Sequence, residues 1–322
     1  MRRRTFLTIA GGAAAWPLVV RAQQPGRTYR IGFVVPVARD APAIVAFLDE
    51  LRLRGFIEGQ NLVVLPGGFE VRSEQIAEAV SSVVRAAPDA ILSGGDVITA
   101  AFQNLTHSVP VMVMTEDLIA AGFAASMARP GGNMTGISLM STDLDGKRQE
   151  ILTEAVPGAR RIAALADSNV ASLKHLQILA DTLRARGLEL LVVRAAKPED
   201  IVPVLDDAKA HGAAAINVLS SPMLFQNRRT IIDRVAALRL PAIYQWPETA
   251  EEGGLLGYGP RFVQIFRQRA RMTAKVLSGA NPADLPVEQP TTFELAVNLK
   301  TAKAIGHEIP ARLVLRADKV IE

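Results

Sequence analysis

The chain has 322 residues, 49% of them apolar and none of them cysteine. That excludes disulfides, thiol catalysis, cysteine metal sites and a lipid-modified N-terminal cysteine. Lys and Arg number 36 against 32 Asp and Glu, but Arg2, Arg3, Arg4 and Arg21 lie in a first stretch without acids; the rest balances at 32 to 32, so global charge gives no support to nucleic-acid binding.

The first 22 residues read as an export leader. Three arginines precede Thr5-Phe6-Leu7 and a small-residue apolar run, which ends in Val20-Arg21-Ala22. This is the layout of a signal peptide with cleavage near Ala22, and two adjacent arginines before x-Phe-Leu fit the twin-arginine type. Gly11, Gly12 and Pro17 interrupt the run, which is too short for a good membrane span. A periplasmic destination is expected. What remains is longer than one core usually supports, so two lobes are expected.

Short apolar runs then alternate with amphipathic segments. Strands are expected at 29–36, 62–69, 90–93, 109–114 and 135–140, and a second series at 161–166, 188–193, 214–219, 242–245 and 254–258. Between them Ile44/Phe47/Leu48/Leu51, Ile76/Ala79/Val80/Val83, Leu173/Leu176/Leu179/Leu183 and Ile231/Val235/Leu238 carry apolar faces at helical spacing. Such alternation predicts an α/β fold with parallel sheets and right-handed crossovers.

The two series repeat each other. Arg30-Ile31 returns as Arg161-Ile162 after 131 residues, Leu51-Arg52-Leu53-Arg54-Gly55-Phe56 as Leu183-Arg184-Ala185-Arg186-Gly187-Leu188 after 132, and Val109-Pro110-Val111 as Leu240-Pro241-Ala242 after 131. Each glycine sits where a helix must turn into a strand. Duplication of one doubly wound lobe is expected, with the first lobe at 28–141 and the second at 142–258. Residues 259–322 read as a segment that packs back on the lobes. It holds a proline-rich stretch at 280–292 and a short amphipathic helix around 295–305.

Catalytic patterns are missing. His107, His175, His211 and His307 are far apart in sequence, none with a second ligand at metal spacing. The chain has no G-x-G-x-x-G after the first strand, no Walker loop and no G-x-S-x-G elbow. No cofactor, no metal and no enzyme activity are expected.

Several stretches resemble the periplasmic solute-binding proteins of ABC importers, a group related to tryptophan-binding lipoproteins. They are Arg30-Ile31-Gly32-Phe33, Gly55-Phe56-Ile57-Glu58-Gly59-Gln60-Asn61, Met127-Ala128-Arg129-Pro130-Gly131-Gly132-Asn133-Met134-Thr135-Gly136 and Glu252-Gly253-Gly254-Leu255-Leu256-Gly257-Tyr258-Gly259. Further on come Pro286-Val287-Glu288-Gln289-Pro290-Thr291, Asn298-Leu299-Lys300-Thr301-Ala302-Lys303 and Leu315-Arg316-Ala317-Asp318. The resemblance implies a type I periplasmic-binding fold: two Rossmann-like lobes joined by a hinge, ligand between them, and ABC permease subunits as membrane partners. Such relatives commonly carry Gly-Thr-Pro-Ala-like residues after the third strand and a Ser/Thr-Asp-Pro-Val-like turn after the fourth. This chain has Gly94-Gly95-Asp96-Val97 and Thr115-Glu116-Asp117-Leu118 there, so the ligand does not carry over.

In open α/β sheets ligands sit beyond the carboxyl ends of the strands. That rule selects Arg39 for a carboxylate, or as a solvated charge. It selects Gly94, Gly95 and Asp96, whose backbone opens a helix, and Thr115, Glu116 and Asp117 for an ammonium or hydroxyl. In the second lobe it selects Asp167, Ser168, Asn169, Ser220, Ser221 (also readable as a helix cap), Tyr244 and Trp246. Trp246, the one indole after the leader, reads as cleft lining, with simple packing as the alternative. Tyr258 reads as hinge or ligand contact. The function expected is capture by a monomer, without nucleic acid, of a small polar or aromatic carboxylate or amino-acid-like ligand. The alternatives are a sensing receptor subunit and an exported enzyme using Asp96, Glu116 and Asp117.

Overall fold

The computed structural model describes residues 26–139 and 141–322, apart from the side chains of 141–143. The expected leader and its cleavage point near Ala22 lie outside the described residues, as does Met140.

Five short apolar runs form the first sheet: β1 (Tyr29–Val34), β2 (Leu62–Val64), β3 (Ala90–Gly94), β4 (Val111–Thr115) and β5 (Met134–Ser138). All pair in parallel, in the order β2-β1-β3-β4-β5. Their residues alternate between two apolar layers, as a sheet covered on both faces requires. Ile31, Phe33, Leu92 and Met112 face one core with Ile44, Phe47 and Leu51 of α1 (Pro42–Leu53). Val34, Ile91, Val111 and Val113 face another, with Val80 and Val83 of α2 (Ile76–Arg85) and Ile98 and Phe102 of α3 (Asp96–Leu105).

The second lobe repeats this topology. After α4 (Ser141–Ala155) come β6 (Arg161–Asp167), α5 (Leu173–Arg184), β7 (Glu189–Ala195), α6 (Ile201–Ala210), β8 (Ala215–Val218), α7 (Pro222–Gln226) and α8 (Arg228–Ala237). β9 (Ala242–Tyr244), α9 (Pro247–Glu251) and β10 (Leu256–Gly259) complete it. The order β7-β6-β8-β9-β10 is that of the first sheet. The repeat extends to individual bonds. Gly55 and Gly187 both hold left-handed backbone, at φ 84 and 72. The Phe56 N–H donates to Leu51 O and the Leu188 N–H to Leu183 O, each at 3.0 Å. A side chain at either glycine opposes the turn that ends the helix.

The last sixty residues serve both lobes. α10 (Phe262–Leu277) places Ile265, Phe266 and Ala270 in the first lobe's core. The following segment runs beside β5, where the Glu288 N–H donates to Gly136 O at 2.8 Å and the Ser138 N–H to Glu288 O at 3.0 Å. The chain then returns to the second sheet as β11 (Glu294–Asn298), antiparallel to β10. α11 (Leu299–Ile305) follows, and the last strand (Lys319–Ile321) is parallel to β11. The helix expected around 295–305 is therefore a strand and a helix, divided at Asn298, whose Oδ1 accepts the Thr301 N–H at 3.0 Å. Leu295 and Val297 lie two apart and both turn into the core. A run that short fits either period, and the free edge of β10 decides it. The backbone thus crosses between lobes three times, after β5, after β10 and before β11.

Candidate functional site

The carboxyl ends of β3 and β4 face those of β6 and β8. On the first lobe, Gly95 at φ 90 turns the chain from β3 into α3. Asp96, the first residue of α3, is half-buried. Burial raises its carboxyl above the usual range; the Glu116 backbone N–H, bonded to it, works the other way, and the Asp117 charge raises it further. Thr115 ends β4, buried, and Glu116 follows.

On the second lobe, Ser221 caps α7: its hydroxyl donates to Asp167 Oδ2 at 2.6 Å and accepts the Leu224 N–H at 3.3 Å. Asp167 Oδ1 accepts the Asn169 N–H at 2.8 Å. Ser220, its neighbour, reaches across, and its hydroxyl donates to Glu116 Oε1. Nearby, a Cβ built on Gly95 lies 3.0 Å from Pro222 Cγ. The lobes are therefore in contact at both points. Gly95→Ala is expected to cost about 1–3 kcal/mol from backbone strain and to part the lobes, read as an enlarged radius of gyration by X-ray scattering. An unchanged radius would mean that this approach does not limit closure.

Burial pushes the Glu116 carboxyl up to about 8, against the Ser220 bond that pulls it down; the charges of Asp145 and Asp96 add to the rise, and Arg148 opposes it. Asp145 and Arg148 lie on α4, both wholly buried. Arg148 Nη2 donates to Asp145 Oδ1, and Nη1 donates to Tyr258 O at 3.2 Å. His175 Nε2 is 3.1 Å from Asp145 Oδ2. Asn217, wholly buried on β8, donates its amide to Asp145 O at 3.2 Å. Asp96 Oδ1, Thr115 Oγ1, Glu116 Oε2, Asn217 Oδ1 and Arg148 Nε are buried without a hydrogen-bond partner. Native proteins rarely leave such groups unpaired, and here they gather where the lobes meet.

Of the residues selected from sequence, Gly94, Gly95, Asp96, Thr115, Glu116 and Ser220 come together at this junction, with Asp167 and Ser221 directly behind Ser220. The others serve elsewhere. Arg39 pairs with Glu58 at 2.5 Å and covers the Phe69 ring. Asp117 is exposed and caps a turn, accepting the Ile119 and Ala120 N–H groups at 3.0 Å. Ser168 and Asn169 bond the end of β7 and the loop after it, through Ala195 O and Ala196 O. Tyr244 is buried in the second lobe's core with Ile232, Val235 and Leu240. Trp246 is buried too, 4.8 Å from the Phe262 ring and 6.4 Å from Phe225. That cluster joins α10 of the first lobe to α7 of the second, so the indole packs the hinge side. Tyr258 offers its carbonyl to Arg148 while its ring stacks on Phe293. Asp145, Arg148 and Asn217 were missed; the one sequence signal for the first two is an acid and an arginine three apart on the helix after the first crossing, and Asn217 carries none.

Among the described residues no group of His, Asp and Glu is placed to hold a metal ion, and no helix is long and apolar enough to cross a membrane.

Residues 35–321 match the family described as ABC transporter substrate binding protein. A tyrosine-binding protein of Clostridioides difficile is 23% identical over 265 residues, spanning 80% of this chain and 75% of that one. Two crystal structures share the fold at 21% identity, each covering 91% of this chain and 100% of its own. One is a conserved domain protein from Vibrio cholerae, with a TM-score of 0.83; the other is an ABC domain in complex with L-Trp from Streptococcus pneumonia, with a TM-score of 0.81.

Proposed function

This chain belongs to the family of ABC transporter substrate binding proteins, and we propose that it captures a small ligand with a polar end and a flat apolar portion between its lobes. The observation that carries this reading is the set of buried, unpartnered polar atoms around the Glu116–Ser220 contact, at the carboxyl ends of strands from both lobes. Asp96, Thr115 and Glu116 from one lobe and Ser220, Asp145 and Arg148 from the other would receive the polar end. A tyrosine-binding relative and a structural neighbour holding L-Trp favour an aromatic, amino-acid-like ligand. Only contacts stronger in the closed than in the open arrangement can drive closure, so both lobes must touch the ligand. The family is one of binding proteins, and no catalytic role falls to the acids here.

Members of the family work outside the cytoplasm with a cognate permease. The leader-like start of the chain supports export to the periplasm with cleavage near Ala22. The protein would act as a monomer, without nucleic acid, and deliver its ligand to permease subunits in the membrane.

A thermal-shift panel of aromatic amino acids, aromatic amines, aromatic carboxylates, sugars, nucleobases and peptides tests the reading. A ligand at 100 times its Kd adds about 2.7 kcal/mol, and the aromatic amino-acid-like members are expected to raise Tm. Silence across the panel, with scattering unchanged by every compound, would overturn capture of this ligand class.

A further inference from the structure

The junction between the lobes is rich in hydrogen-bond acceptors and poor in cations. Asp96 and Glu116 come from the first lobe and Asp145 from the second. Arg148 is the one cation acting on Glu116, and it is engaged with Asp145 and the Tyr258 carbonyl. Arg39, beyond β1, faces Glu58, and Arg261, beyond β10, is held by Glu251 and Glu294. The unpartnered buried atoms follow the same imbalance. Around the junction, Asn217 Oδ1 accepts, Asp96 Oδ1 and Glu116 Oε2 accept once their carboxyls are ionised, Thr115 Oγ1 can do either, and Arg148 Nε is the obligate side-chain donor. Thr115 and Asn217 are themselves at least nine-tenths buried, so the demand for donors does not rest on the acids alone.

We infer that the solute this cleft selects is a cationic amine, one that brings a protonated nitrogen to Asp96 and Glu116 without a carboxylate beside it. The inference rests on the capture reading above and narrows it. An alkylammonium has three donors and no acceptor, which matches an acceptor-rich site whose acids have lost their water. A ligand carboxylate would add a like charge to this set, where Arg148 Nε is the one unpartnered side-chain N–H. The rise in the Asp96 and Glu116 carboxyls on burial is the cost that a bound cation offsets.

The test is calorimetric titration of the full chain with two matched pairs, tyramine against L-tyrosine and tryptamine against L-tryptophan. Each amine is expected to bind at least tenfold tighter than its amino acid. Glu116→Gln, which keeps the size and can still accept from Ser220, should lose at least tenfold in amine affinity while still melting cooperatively; Asp96→Asn is an independent second variant. Amino acids binding as tightly as the amines would overturn the inference and leave capture standing. So would stabilisation by another member of the wider panel with no binding of either amine. Silence to every compound in both experiments would overturn the two together.

Discussion

Replacing Arg148 by alanine lowers stability by roughly 3–5 kcal/mol, the cost of stranding one partner of a buried ion pair. Both side chains of the Arg148–Asp145 pair are fully buried. Without the guanidinium, Asp145 keeps His175 at 3.1 Å but loses its permanent cation, in a region that already holds Glu116 and Asp96. The change also cuts the tie from α4 to the Tyr258 carbonyl on β10, just before the chain crosses between lobes. Thermal and denaturant melts would read it, at about 2–4 °C of Tm for each kcal/mol in a protein somewhat smaller than this. The double variant Arg148→Met with Asp145→Leu is expected to recover much of the loss, because it removes both buried charges. A single variant that melted with the parent would show that the pair holds nothing together.

The ligand-free protein closes more readily in mild acid. With the lobes in contact, burial holds the Glu116 carboxyl at about 8 against a usual 4.5; with the lobes apart it returns toward that ordinary value. Between those limits the closed form carries one more proton, so closing takes up a proton. Raising pH through the window disfavours closure by up to tenfold per unit. The same sign holds for folding: the native state binds more protons than the unfolded chain, so this group's contribution falls as pH rises from about 4.5 to 8 and changes no further above. Asp96 is shifted in the same direction and adds to the trend. Scattering at pH 5 and pH 8.5 should show the smaller radius at pH 5, and Glu116→Gln should flatten the difference. Equal radii at both pH values in the parent would exclude this coupling.

The doubled lobe was legible because a turn from helix to strand has few solutions. Gly55 and Gly187 announced the same left-handed turn, and the structure places the same hydrogen bond behind each. The loops of the candidate site were selected for a topological reason: a parallel strand delivers its carboxyl end to the crevice whatever its sequence. Which way each side chain turns is not topological. Arg39 found Glu58 on its own lobe, and Trp246 found Phe262, a ring on a helix that belongs to the other lobe. Arg148 and Asp145 stayed hidden because a buried charged pair and a solvated one look alike at a spacing of three on a helix. β11 was hidden because so short a run fits either period, and its place at the free edge of β10 decides it.

The return of α10 into the first lobe sets the order in which this protein can be finished. Arg269, wholly buried on that helix, donates to Ser93 O at 2.9 Å and Met112 O at 2.8 Å. Ile265 and Phe266 share a core with Phe33 and Phe47. The half of the molecule synthesised first is thus completed by residues synthesised nearly last. Until Leu277 has left the ribosome, Phe33 and Phe47 lack part of their cover. Contacts this distant in sequence are slow to close, and a nascent first lobe is an exposed intermediate of the kind that chaperones hold. A truncation that spares every strand of the first sheet but removes α10 would therefore destroy the earlier lobe as surely as a cut through its middle.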